Sequence, residues 1–104
     1  MDERRNSLRI PLTTDVTVDR GGDQFGAVSV NISTGGLMLD LGDRFPDVGD
    51  EFGLSFSIPG LEDPVTAPVV VRWADAVRNN LVGVEFTTGL RAREVYAIQQ
   101  LKGG

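Results

Sequence analysis

The sequence predicts an all-β fold, a six-stranded antiparallel β-barrel with a C-terminal α-helix and a flexible N-terminal arm. Three observations predict it. Apolar and polar residues alternate with a period of two along most of residues 12–86, the pattern of strands with one buried face. Turn-forming pairs punctuate that alternation at Gly21-Gly22, Gly35-Gly36, Pro59-Gly60 and Asn79-Asn80. From Gly89 onward the period changes to that of a helix. A chain of 104 residues has room for one such domain, with enough core to fold without staples. Residues 1–11 read as the arm and residues 12–104 as the barrel with its helix.

The elements follow in order. Leu12, Thr14, Val16 and Val18 share one face of the first strand, with Thr13, Asp15, Thr17 and Asp19 on the other. After the Gly21-Gly22 turn, a second strand is expected to point Val28, Val30 and Ile32 inward, with Ser29 and Asn31 outward. Leu37, Leu39 and Leu41 form the inner face of the third strand. The acidic stretch from Gly42 to Asp50, with Pro46 and Gly49, reads as loop. The fourth strand buries Phe52, Leu54, Phe56 and Ile58. The fifth places Val65, Ala67, Val69, Val71 and Trp73 on one face and Arg72 on the other. Asn79-Asn80 is a hairpin turn, because Asn tolerates positive φ, and the last strand buries Val82, Val84 and Phe86. Leu90, Val95, Ile98 and Leu101, with Ala97 among them, then fall on one side of a helix. Glu94 interrupts that side and is expected to be answered by Arg91 at i−3. Six strands in an antiparallel meander around one apolar face are most simply arranged as a closed or nearly closed barrel, which hides the sheet edges.

Composition removes whole classes of function. The chain has no Cys and no His, which excludes disulfides, thiolate catalysis, a Ser-His-Asp triad and a typical zinc site. The formal net charge of −5 is the wrong sign for a general DNA or RNA binder. Neither a secretory signal nor an apolar run long enough to span a membrane is visible, so a cytoplasmic location is expected. The initial Met favours a full-length single-domain protein.

Two constellations can carry chemistry. Arg4, Arg5 and Arg9 place three positive charges within the first nine residues, beside Asp2 and Glu3, in an otherwise anionic chain. Between residues 40 and 63, by contrast, seven acids (Asp40, Asp43, Asp47, Asp50, Glu51, Glu62 and Asp63) face Arg44 alone. An anionic ligand would avoid that stretch and choose the arm. Arginine grips phosphate or the O6/N7 edge of guanine with two bonds and stacks on flat rings. The second constellation is Asn31-Ile32-Ser33-Thr34-Gly35-Gly36, short polar side chains followed by glycines that let a ligand approach the backbone. Taken singly, the first also reads as an idle solvated terminus and the second as an ordinary loop.

Together, Arg4-Arg5-Asn6-Ser7-Leu8-Arg9 and the later Asn31-x-Ser33-x-x-Gly36 resemble the paired signature of the PilZ family, R-x-x-x-R and then D/N-x-S-x-x-G. The resemblance covers almost the whole chain, including Arg72-Trp73, Gly83-Val84-Glu85-Phe86 and the closing helix. It implies a PilZ-type six-stranded barrel and a bacterial receptor for cyclic di-GMP, with no cofactor and no catalysis. Arg5 and Arg9 match the two arginines of the first motif and Arg4 the frequent extra one before them. These would contact phosphates and guanines. Asn31, Ser33 and Gly36 match the second motif and would form the barrel-side surface for a guanine. Asn31 stands where the family often has Asp, keeping one acceptor oxygen without the charge. The arm is expected to be mobile without ligand and to fold over it on binding.

Other readings fare differently. An enzyme would have to rely on Ser33, which has no visible base and no G-x-S-x-G elbow, or on loop carboxylates such as Asp50-Glu51 and Glu62-Asp63. A single-stranded nucleic-acid barrel would need stacking platforms and a basic groove, whereas Phe52, Phe56, Trp73 and Phe86 fall on inward faces. The alternative from within the resemblance is a PilZ-like protein-interaction adaptor that does not bind nucleotide. In either case a downstream protein effector is expected, met through the Asp40–Asp50 region or the helix face carrying Tyr96. Motility or biofilm regulation is the implied setting, for a protein that is a monomer or weak dimer with no membrane insertion.

Overall fold

The apolar face of each alternating segment becomes the inside of a closed barrel. The computed structural model describes residues 9–44, 46–75 and 81–103, so Arg4, Arg5 and the Asn79-Asn80 turn lie outside the described residues. Its strands are β1 (Ile10–Pro11), β2 (Asp15–Arg20), β3 (Asp23–Ile32), β4 (Gly36–Asp40), β5 (Glu51–Phe56), β6 (Val65–Asp75) and β7 (Leu81–Phe86), followed by α1 (Ala92–Gly103). The six strands β2–β7 close the barrel through the β3–β4 pairing, and β1 is one further short strand on β3. Val18, Ile32, Leu37, Leu39, Val65, Val69, Val71 and Val82 are wholly buried in a single core. Phe56 and Phe86 stack within it, with ring centroids 6.4 Å apart.

The strand order is not the simple meander that alternation implies. Two three-stranded meanders, β2–β3–β4 and β5–β6–β7, join antiparallel at two seams, β2 with β5 and β4 with β7. A hairpin turn after β4 would have placed β5 beside it. The 41–50 connection is instead too long for a tight turn, and it delivers β5 to the far edge of the first meander. The tight turn between β2 and β3 is Gly21-Gly22, both at positive φ (62° and 91°), the two-glycine solution that matches the strands' twist. Asp19 Oδ1 accepts the Gly22 amide across it at 3.1 Å.

Two bulges reverse faces that the alternation assigned. In β3, Phe25, Ala27 and Ser29 point inward, and the register shifts between Ser29 and Asn31. Val28 and Val30 are therefore on the outside, 40% and 37% exposed, while the extra residue returns Ile32 to the core. In β6 the shift falls between Val71 and Trp73, so Trp73 turns outward and is 38% exposed instead of completing the inner row. Glu94 is answered by Arg91 as expected, through the backbone and not the guanidinium. Its carboxylate accepts the backbone N–H of Arg91 at 2.9 Å, the reciprocal half of a capping box at the helix start. Ala97 and Ile98 on the next turn enter the core.

The inward Ser29 staples the start of the barrel. Its hydroxyl donates to the Leu12 carbonyl and accepts the Thr14 amide at 3.0 Å, so the segment between β1 and β2 stays attached to β3. Ser29→Ala leaves a part-buried N–H and C=O without that partner and is expected to cost about 1–3 kcal/mol. A lowered urea midpoint at unchanged m-value is the expected reading.

Candidate functional site

The pairing of β1 with β3 brings Arg9 of the first constellation beside Asn31 of the second. Ile10 lies opposite Ile32 and Pro11 opposite Asn31, which sets the root of the arm beside the loop that follows β3. There Arg9 Nη1 donates to Asn31 Oδ1 at 3.0 Å. The other end of the Asn31 amide points across the strand pair, with Nδ2 3.7 Å from the sulfur of Met38. Asn31 thus holds the last arginine of the arm against the outside of the barrel.

Ser33 and Gly36 build the loop rather than line its surface. Ser33 is only 2% exposed, and its Oγ accepts the amides of Gly35 and Gly36, each at 3.2 Å. The Ser33 amide in turn donates to the Gly36 carbonyl at 2.9 Å, closing a tight turn on itself. Gly36 opposes Glu85 on β7, and a Cβ at position 36 would overlap the Val84 carbonyl oxygen. Glycine is required here by the close approach of β4 to β7. Gly35 has no such neighbour, since a Cβ there would meet only Ser33 Oγ at 3.9 Å. Its carbonyl accepts the Phe86 amide at 2.9 Å, tying the loop to β7.

From Asn31 the register carries the site across the outer wall. Asn31 opposes Met38, Met38 opposes Gly83, and Gly83 opposes Trp73. Three strand steps of about 4.8 Å make this row roughly 14 Å long. The Trp73 indole lies over Gly83, where any Cβ would collide with it. One row further along, Arg72 donates from Nε to Glu85 Oε1. The face therefore carries Arg9 at one end, a flat indole with Arg72 beside it at the other, and a thioether between them. Sequence reasoning missed Trp73, Met38 and the Arg72–Glu85 pair as surface groups. The usable signal was Gly83, because a glycine inside a strand often marks a close approach from outside.

A cavity of about 600 Å³ elsewhere, on the β2–β3–β4 wall, is lined by Asp15, Asp40, Asp43, Gly26, Val28 and Arg44 among others. Its carboxylates outnumber its cations, and Arg44 is already engaged with Asp23 at 3.0 Å and with the Phe25 ring at 4.4 Å. It does not suit an anion. Among the described residues no cluster of His, Cys, Asp or Glu is arranged to hold a metal ion, and no helix is long and apolar enough to cross a membrane.

A closed barrel with a polar site on its outer wall, organised by one strand pairing and one hydroxyl-stapled loop, defines a small β-barrel binding domain. The PilZ domain family model matches residues 3–102, and the chain belongs to the PilZ family. Among solved structures it is similar to the Bacillus subtilis inhibitor of motility MotI/DgrA, with a TM-score of 0.76 and 23% sequence identity. That similarity covers 98% of this chain and 51% of the other, so this chain spans about half of its neighbour's length. No curated protein matches the chain.

The two glycines separate a packing requirement from loop composition. Gly36→Ala is expected to destabilise the barrel by about 1–3 kcal/mol or to prevent folding, as overpacking against backbone does. Gly35→Ala is expected to stay within about 0.5 kcal/mol of the parent. Thermal unfolding followed by circular dichroism distinguishes the two.

Proposed function

We propose that this protein is a receptor for cyclic di-GMP, bound on the outer wall between the arm and Trp73. The observation that carries the reading is the Arg9–Asn31 contact, which joins the arm motif to the barrel motif. The ligand has two anionic phosphates and two guanines. Arg9, with Arg4 and Arg5 from the arm, offers bidentate donors for phosphate and for the guanine O6/N7 edge. Ser33 and Gly36, buried themselves, fix the loop beside which a guanine settles. Trp73, fixed over Gly83 at the other end of the row, supplies a stacking surface for a base. Asn31 keeps Arg9 poised at the root of the arm. On binding, the guanidinium exchanges the Asn31 oxygen for the ligand, and that oxygen becomes free to accept a guanine N–H.

Membership of a family of binding domains supports a receptor rather than a catalyst. The signal is passed on by contact with a downstream protein, in a bacterial cytoplasm, after the arm has closed over the nucleotide. The neighbour's description as an inhibitor of motility supports an output in the regulation of movement. It also favours the second reading, an adaptor that makes such contacts without nucleotide.

Calorimetric titration with cyclic di-GMP, with GMP as control, tests the proposal. Arg5→Ala and Arg9→Ala are each expected to lose roughly 1–3 kcal/mol, or about 5- to 150-fold in affinity. Trp73→Ala is expected to lose a similar amount through the missing stack, about 1–3 kcal/mol. A folded parent that gives no heat with cyclic di-GMP selects the adaptor reading.

A further inference from the structure

Arg72 occupies an unusual place. The β6 bulge sets it between the Val71–Val84 and Trp73–Gly83 pairs, on the same outer wall as the candidate site. Its guanidinium is engaged by Glu85, whose Cα partner on β4 is Gly36. Both side chains remain largely in solvent, 64% and 51% exposed, so this ion pair does not hold the barrel together. Of the other described arginines, Arg20 pairs with Asp50, Arg44 pairs with Asp23, and Arg91 and Arg93 belong to the helix region. Arg72 is thus the described cation, besides Arg9, that the register brings to the face.

We infer that Arg72 is a second anion-binding group of this face, held by Glu85 when the site is empty and transferred to a ligand phosphate when it is filled. The inference rests on the proposed cyclic di-GMP reading and deepens it. The ligand has two equivalent phosphates, and Arg72 stands beside the Trp73 end of the row whose other end meets the arm root. An exposed single Arg–carboxylate bond is weak, whereas a phosphate offers the guanidinium two parallel acceptors. The exchange is therefore downhill. Glu85 acts in both states against binding: it neutralises Arg72 beforehand, and its charge stays beside the bound dianion afterwards. It sets the affinity without touching the ligand, and its effect fades as salt screens it.

The test is titration of cyclic di-GMP into the parent, Glu85→Gln, Arg72→Ala and the double variant, each at low and high salt, with thermal midpoints as a folding control. Glu85→Gln is expected to bind roughly 3- to 10-fold tighter, with the gain shrinking at high salt. Arg72→Ala is expected to bind about 5-fold weaker or worse, with a shallower salt dependence. In the double variant the Glu85→Gln gain is expected to be smaller than in the parent background, because the released cation is gone. If the parent binds and folded Glu85→Gln and Arg72→Ala bind as it does, Arg72 is not a ligand group and the inference is overturned while the receptor reading stands. Weaker binding by Glu85→Gln would also overturn it, since Glu85 would then be supporting the site. A folded parent that fails to bind removes the receptor reading and this inference together.

Discussion

The rest of the structure depends on β3 serving three strands at once. Over its first half it pairs with β2, and over its second half it pairs with β4 on one side and β1 on the other. The β3–β4 pairing closes the sheet, so the barrel has no long free edge to offer another chain. One inserted residue at the junction makes this possible. With the bulge between Ser29 and Asn31, the strand presents Ser29 inward, where it staples Leu12 and Thr14, and Asn31 outward, where it meets Arg9. Barrel closure, attachment of the arm and exposure of the binding motif are consequences of the same few residues.

That economy explains the character of the candidate site. Its polar groups are not left waiting for a ligand. Arg9 is satisfied by Asn31, Arg72 by Glu85, and Ser33 by the amides of its own loop. In the proposed receptor, binding on this face would be an exchange of partners, its strength depending on how much better a phosphate is than an exposed side-chain oxygen. Only Ser33 is committed. Burial makes its hydroxyl part of the scaffold, and a loop that is fixed before the ligand arrives costs less ordering when it binds. Beyond this face, Val48 in the 41–50 connection and Tyr96 on α1 are exposed large hydrophobic side chains.

Most of the fold was legible because one buried face per strand imposes a period of two, and a change to helical period marks α1. Leu37, Leu39, Leu54, Val65, Val69, Val82 and Val84 are all core as alternation requires. The errors fall at bulges. A bulge inserts one residue without altering local composition, and each one moves everything beyond it to the opposite face. Val28 and Val30 in β3 and Trp73 in β6 were misplaced for this reason. The joining of the two meanders was illegible for another: pairing partners across β2–β5 and β4–β7 are set by three-dimensional closure, which no local pattern encodes. The site motifs were visible as residue types, and Arg9 does meet Asn31. The division of labour among them was not visible, because burial of Ser33 and the contact of Gly36 with Val84 exist only once β4 and β7 are paired.

The central claim is that cyclic di-GMP binds on the outer wall running from Asn31 to Trp73. Amide and indole NMR shifts during a titration with cyclic di-GMP test it most directly. The account predicts the largest changes at Arg9, Asn31, Gly35, Gly36, Gly83, Glu85 and the Trp73 indole N–H. Thr17, Ser55 and Thr66, which face out from the β2–β5–β6 wall, are predicted to stay in place. Shifts confined to that other wall, or to the acidic cavity around Asp40 and Asp43, would contradict it.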